Sequence, residues 1–296
     1  MNRNQQYWAR RQEMSKRALS HDALMKQHFC NFSQTGTKTT VYSDQIDVHD
    51  WPVFGNNGVS GRSVTGNATG VPLVTVSDLD SVSALFAFRE PGRKIAVLNF
   101  ASYKEPGGRF LDGSTAQEES LCHASNLYEV LAQERLFYAW NNQFKNRSLY
   151  FNRALYSANV TFFHPSLMPE ENMTQKQLDA CRGNAILADV ITCAAPNKYA
   201  AQKYCGVSDA ENTKALQERI RFVLDIAELN QVATLILGAY GCGVFGQDPE
   251  EAAGIFKTLL SSGRYHFGLV VFAVPGGPSD MNHMAFQNTF AYGLPR

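Results

Sequence analysis

Two adjacent carboxylates, Glu118 and Glu119, follow a glycine-rich turn, Pro106-Gly107-Gly108-Arg109-Phe110. Glycines let backbone N–H groups close on an anion, and a carboxyl nearby can move protons. A second cluster, Gly238-Ala239-Tyr240-Gly241-Cys242-Gly243-Val244-Phe245-Gly246, places four glycines in nine residues. Its stretch from Gly241 to Gly246 matches G-x-G-x-x-G between a strand pattern and a helix pattern, the context of a phosphate-binding turn. A tight turn between strand and helix also uses glycines for positive φ. Four are more than a turn needs, so the composition favours anion binding.

The second loop invites a dinucleotide-binding reading, which two features oppose. The loop comes after most of the strands, and residues 264–272 carry no acid to hold ribose hydroxyls. Two glycine loops at two strand ends suggest one ligand gripped from both sides, and a diphosphate flanked by sugars suits such a clamp. The spacings Thr115-x-x-Glu118 and Ser114-x-x-Gln117 are those of a capping box, so Glu118 also has a purely helix-capping reading. Glu119 has no such role and no Lys or Arg at 115 or 123 to pair with along a helix. For Glu119 to act as an acid near neutral pH, desolvation must outweigh the helix N-terminus. Ser20-His21-Asp22 is not a nucleophilic triad, because sequence neighbours on a helix do not converge on one point.

The elements that must position these residues are legible as patterns. Residues 4 to about 29 read as one or two charged amphipathic helices, with Trp8, Leu19, Leu24 and Met25 as candidate buried positions. Residues 30–70 are rich in Thr, Ser, Gly and Asn and predict short strands and loops, Thr39-Thr40-Val41-Tyr42 among them. Strands are expected at 71–76, 95–100, 148–156, 159–163, 189–193, 234–237 and 269–274. Helices are expected at about 77–88, capped by Ser77 or Asp78, and at 116–133, 174–182, 210–229 and 249–261. Apolar strands between amphipathic helices predict a sheet covered on both faces. With no repeat and no low-complexity linker, one domain with an N-terminal helical extension is the simplest division.

Composition narrows the function. In 296 residues, 27 Lys and Arg balance 27 Asp and Glu, which argues against a broad nucleic-acid footprint. No apolar run approaches the roughly 20 residues of a membrane helix, and the basic N-terminal segment has no apolar stretch behind it. Six scattered cysteines without a C-x-x-C pair predict reduced thiols rather than a zinc site. These features together predict a cytoplasmic protein with no membrane partner.

The ordered set Val97-Leu98-Asn99-Phe100-Ala101-Ser102, Pro106-Gly107-Gly108 and Gln117-Glu118-Glu119-Ser120-Leu121 resembles the signature of microbial poly(ADP-ribose) glycohydrolases, catalytic members of the macrodomain superfamily. Ser157–Phe163, Asp189–Asn197, Gly238–Gly246 and Val271–Val274 also fit, so the resemblance covers about residues 70–290. It implies an α/β fold, a three-layer α/β/α macrodomain with a mixed central sheet and an N-terminal helical extension. Residues 71–296 would form the catalytic core and 1–70 an extension packed on it.

The resemblance further implies that Glu119 is catalytic and that Glu118 helps to hold the ribose. It makes Gly107, Gly108 and Gln117 part of the ligand site. Gly241, Cys242, Gly243, Val244 and Phe245 would wrap the diphosphate and a ribose, and Asn99 would bond the distal ribose. No metal and no cofactor are implied; the partner is ADP-ribose or its polymer on modified proteins. Arg109 departs from the family's third loop glycine. A side chain there clashes if the backbone needs positive φ; alternatively, its guanidinium binds a phosphate or a second chain unit. The implied reaction is hydrolysis of the ribose–ribose O-glycosidic bond through an oxocarbenium-like transition state, with Glu119 as acid and then base. The competing readings are a non-cleaving ADP-ribose binder, a hydrolase of single ADP-ribose units, and a nicotinamide-dependent oxidoreductase.

Overall fold

The computed structural model of the chain describes residues 2–44 and 71–294. The rest of the Thr/Ser/Gly/Asn-rich stretch, residues 45–70, lies outside the described residues, and with it the expected boundary at 70/71.

The chain opens with helix α1 (Arg3–His28), whose Asn2 forms a capping box with Gln5. A short α2 (Phe32–Thr35) leads to β1 (Lys38–Ser43). Then come β2 (Leu73–Ser77), α3 (Ser81–Ala87), β3 (Ile95–Phe100), α4 (Gln117–His123), α5 (Leu127–Leu131), α6 (Arg135–Gln143) and β4 (Arg153–Phe162). The second half runs α7 (Gln175–Gly183), β5 (Ile186–Cys193), α8 (Lys198–Cys205), α9 (Asp209–Leu229), β6 (Thr234–Leu237), α10 (Pro249–Leu260), β7 (Leu269–Ala273) and α11 (Met281–Phe290).

The strands form a seven-stranded sheet in the order β1-β4-β5-β3-β6-β7-β2. β1, β4 and β5 pair antiparallel, whereas β5, β3, β6, β7 and β2 run parallel, so the sheet is mixed. Successive side chains point to opposite faces. Ala96 and Leu98 therefore join one core with Leu216, Val223, Phe256 and Phe286 of α9, α10 and α11. Ile95 and Val97 join the other, with Ala18 of α1, Leu85 of α3, Leu121 of α4, Leu127 of α5 and Phe137 of α6. These are the three layers the apolar strands imply.

Several local expectations are corrected. Asp80, not Ser77 or Asp78, caps α3, because its carboxylate reaches the N–H groups of both Val82 and Ser83. The continuous helix expected over 116–133 breaks in two at Ser125-Asn126. There Ser125 Oγ accepts from Leu127 N and Asn126 Oδ1 accepts from Thr161 N, so side chains take over backbone partners. The two strands expected at 148–163 are one strand, β4, whose register shifts between Ser157 and Val160. Asn159 sits at φ 56° in that bulge, and Asp189 accepts its N–H at 2.9 Å.

Trp8 and Leu19 are exposed; the buried positions of α1 are Ala18, His21 and Met25, with Leu24 packed beside them. This face fits against the segment following the glycine turn. Ser15 Oγ donates to the Leu111 carbonyl at 2.6 Å and Arg11 Nε to that of Asp112 at 3.0 Å. All six cysteines are free thiols.

Candidate active site

The parallel strands β5, β3, β6 and β7 end on one edge of the sheet, where open α/β sheets bind ligands. A cleft of about 730 Å³ lies there. Its walls come from the loop after β3, the start of α4, the loop after β6 and the segment after β7, including Ser102, Gly108, Glu119, Gly243, Phe245 and Val274. Sheet order brings the two glycine clusters together: β3 and β6 are neighbours, pairing Ile95, Ala96 and Val97 with Thr234, Leu235 and Ile236.

The first loop turns on two consecutive left-handed residues, Gly107 at φ 66° and Gly108 at φ 60°. Gly108 faces the acids: an added Cβ would lie 2.7 Å from Glu119 Oε1 and 2.8 Å from Glu118 Oε2. A Cβ on Gly107 would instead press on Tyr128 at 2.8 Å, so this glycine supports the loop from behind the cleft wall. Arg109 does not share the positive φ of Gly107 and Gly108. Its side chain fits without the anticipated clash, reaching Asp112 at 2.9 Å, while its N–H donates to Glu119 Oε1 at 2.9 Å.

The capping-box reading of Glu118 and Gln117 does not hold. Ala116 is the N-cap residue of α4, and it makes no side-chain cap bond. Glu118 instead accepts from Ser102 N–H at 2.6 Å and from Asn99 Nδ2 at 3.2 Å. Burial pushes its carboxyl up to about 8, with the charge of Glu119 adding to the rise; the bonds from Ser102, Asn99 and the Gly107 backbone pull the other way. Burial thus favours the neutral form of the Glu118 carboxyl.

Gln117 spends its amide on the protein. Its Oε1 accepts from Phe100 N–H at 2.8 Å, and its Nε2 donates to the Leu98 carbonyl and to Ser81 Oγ. It pins the start of α4 to the end of β3. Asn99 is wholly buried beneath Glu118 and does not line the cleft. Its Nδ2 also donates to Thr192 Oγ1 on its register partner at 3.3 Å.

The loop after β6 turns at Gly241 (φ 80°) and Gly246 (φ 72°). Gly241 is close-packed, since a Cβ would come within 2.8 Å of Gln247 Cγ and 2.9 Å of Ala195 Cβ. Gly241, Gly243, Val244 and Phe245 all line the cleft. Among the described residues, none accepts the backbone N–H of Gly243, Val244 or Phe245. Backbone donors left open beside a cleft are groups that an anion can satisfy. Cys242 turns away from the cleft, its Sγ against the Tyr240 carbonyl, and burial pushes its thiol up to about 12.

Sequence reasoning missed an aromatic corner. Tyr150 stacks on Tyr103 with centroids 4.1 Å apart and meets Phe245 edge-on at 6.1 Å. Tyr150 sits at φ 61°, and Asn146, Arg147 and Ser148 just before it are also left-handed. Strain of this kind gathers at functional sites. No local pattern marks Tyr150, because β4 and the segment ahead of it reach the cleft only through the sheet. Among the described residues, no cluster of three or more His, Cys, Asp or Glu side chains could hold a metal ion.

A mixed sheet, a nucleotide-sized cleft at its carboxyl edge and a paired-acid loop facing a glycine loop define a macrodomain-like α/β protein. Comparison with known proteins narrows this class. Residues 9–165 match the family model for the microbial-type PARG catalytic domain. The crystal structure of poly(ADP-ribose) glycohydrolase (PARG) from Thermomonospora curvata aligns with a TM-score of 0.74 and 26% identity, covering 94% of this chain and 100% of that one. The PARG of Deinococcus radiodurans in complex with ADP-ribose aligns with a TM-score of 0.65 and 32% identity over 76% of this chain and 86% of that one. The Thermomonospora curvata PARG bound to the inhibitor ADP-HPD gives 0.70 and 25% over 94% and 100%. A comparison with curated protein sequences gave no match. The chain belongs to the microbial-type PARG family.

Proposed function

We propose that this chain hydrolyses the ribose–ribose O-glycosidic bonds of poly(ADP-ribose) and releases ADP-ribose, with Glu119 as general acid and then base. The observation that carries this reading is the setting of Glu119. It is buried at the cleft, held by the Arg109 N–H at 2.9 Å, and lies across from three open N–H donors on the neighbouring loop. A diphosphate on those donors places the attached ribose toward the acids.

In this scheme Glu119 gives its proton to the leaving ribose oxygen as the C1–O bond breaks. The pair of electrons leaves with that oxygen, and the oxocarbenium character on the ribose is stabilised by the adjacent diphosphate and by Glu119 as carboxylate. Water then adds to the anomeric carbon and returns a proton to Glu119. Glu118, whose neutral form burial favours, offers an O–H donor to the ribose without adding a second negative charge. Gln117 and Asn99 hold the acids from below, and Phe245 with Tyr150 packs against the sugar.

We read residues 71–296 as the catalytic core and the chain before residue 71 as an N-terminal extension, whose described part adds α1 and the edge strand β1 to that core. Polymer on modified proteins would be the substrate. No described helix is long and apolar enough to cross a membrane; six free thiols support a reducing compartment and hence the cytoplasm. The test is incubation with ADP-ribose polymer, with free ADP-ribose and single-unit modified protein as separate arms. Release from polymer by the unaltered chain, lost in Glu119→Gln, supports the reading; release only from single-unit protein overturns it.

A further inference from the structure

We propose that the Arg109 guanidinium binds the diphosphate of the polymer unit joined to the one being released, making Arg109 a specificity residue for polymer. The inference rests on the reaction argued above and adds a subsite to it.

Three observations place that side chain. The Arg109 N–H is the group that holds Glu119, at 2.9 Å, so the side chain starts beside the acid that faces the leaving oxygen. Arg109 lines the cleft, yet its side chain is 68% exposed, so it stands at the mouth rather than in the bed of the bound unit. Its present partner is Asp112, three residues on, with a carboxylate that is itself 58% exposed. An exposed pair of this kind is weak and exchanges readily for a better ligand.

The leaving ribose carries a diphosphate through its 5′ oxygen, within the sweep of an extended arginine rooted beside Glu119. A guanidinium grips phosphate oxygens through two parallel N–H bonds, which a diphosphate satisfies better than one surface carboxylate. Lys104 lines the same rim and adds positive charge, while Glu105 beside it opposes. The left-handed turn is confined to Gly107 and Gly108, so an arginine at position 109 carries no backbone strain from φ.

The experiment uses the full chain with Arg109→Gly, which keeps the N–H to Glu119, and Arg109→Gln, which keeps most of the side-chain bulk without charge. KM and kcat on ADP-ribose polymer are read at low and high salt, and the affinity for free ADP-ribose by calorimetry. The expected result is a KM for polymer raised roughly five- to tenfold in both variants at low salt. The rise falls on KM rather than kcat, and its salt dependence flattens while affinity for free ADP-ribose holds. An unchanged polymer KM overturns the proposal. So does a parallel loss of free ADP-ribose affinity, which would put the guanidinium on the unit inside the cleft. An unaltered chain that neither binds ADP-ribose nor shortens polymer overturns the reaction itself, and this subsite with it.

Discussion

A methyl group on Gly108 would sit 2.7 Å from Glu119 Oε1. The acid and the turn are therefore packed as one unit: the loop takes its left-handed path so that its backbone, not a side chain, borders the carboxyls. The same loop delivers the next N–H, from Arg109, onto the same oxygen.

That contact makes Gly108→Ala a sharp test. The added Cβ meets two carboxylate oxygens and sits at φ 60°, where side chains are strained. We expect polymer cleavage to fall by ~100-fold, from displacement of the acid, with a stability loss of only about 1–2 kcal/mol. Steady-state kinetics and denaturant unfolding read the two numbers; cleavage within twofold of the unaltered protein would contradict the packing argument.

Glu119→Gln keeps shape and the acceptor for Arg109 N–H but cannot deliver or receive the proton. ADP-ribose release should fall by about 10²–10⁴-fold, while calorimetric affinity for ADP-ribose stays close to that of the unaltered chain. Equal losses in binding and turnover would assign Glu119 to holding the ligand instead.

Glu118 supplies a pH signature. Its carboxyl is pushed up to about 8 by burial, so it is neutral below that value and adds negative charge beside the diphosphate above it. Affinity for ADP-ribose and kcat/KM should both decline as pH rises through about 8. Titrations between about pH 7 and about pH 9 check this, and a flat profile would sink it.

Gly241 tests the opposite wall. At φ 80°, with Gln247 and Ala195 inside 3 Å of an added Cβ, Gly241→Ala must shift the loop that carries the open N–H donors. Strain of 1–3 kcal/mol predicts an affinity for ADP-ribose weakened by about tenfold or more. Calorimetry on this variant measures it directly.

Glu129 offers a stability test away from the chemistry. It is buried on α5, both carboxyl oxygens lack a donor among the described residues, and its carboxyl is pushed up to about 8 by burial, with Asp22 on α1 adding to the rise. A carboxyl raised in the folded state contributes stability fully below its unfolded value near 4.5 and loses it as pH climbs through about 8. Glu129→Gln removes that titration. The variant should gain up to about 4 kcal/mol relative to the unaltered chain between about pH 5 and about pH 8.5 in urea unfolding. No change in the difference with pH would show that Glu129 stays solvated.

Much of this protein is written locally. The apolar runs at 95–100, 189–193, 234–237 and 269–274 become the parallel strands β3, β5, β6 and β7, because strands buried on both faces need continuous hydrophobicity. The two glycine clusters and the acid pair are legible for a similar reason: left-handed backbone and proton transfer each demand particular residue types. What sequence left open was decided across distance. Adjacency of β3 and β6 joins loops more than a hundred residues apart. A stack on Tyr103 brings Tyr150 to the cleft. The β3 backbone claims the Gln117 amide that spacing had offered to a cap. Such pairings follow from sheet order, register and the competition for buried hydrogen-bond partners, which local residue patterns do not encode.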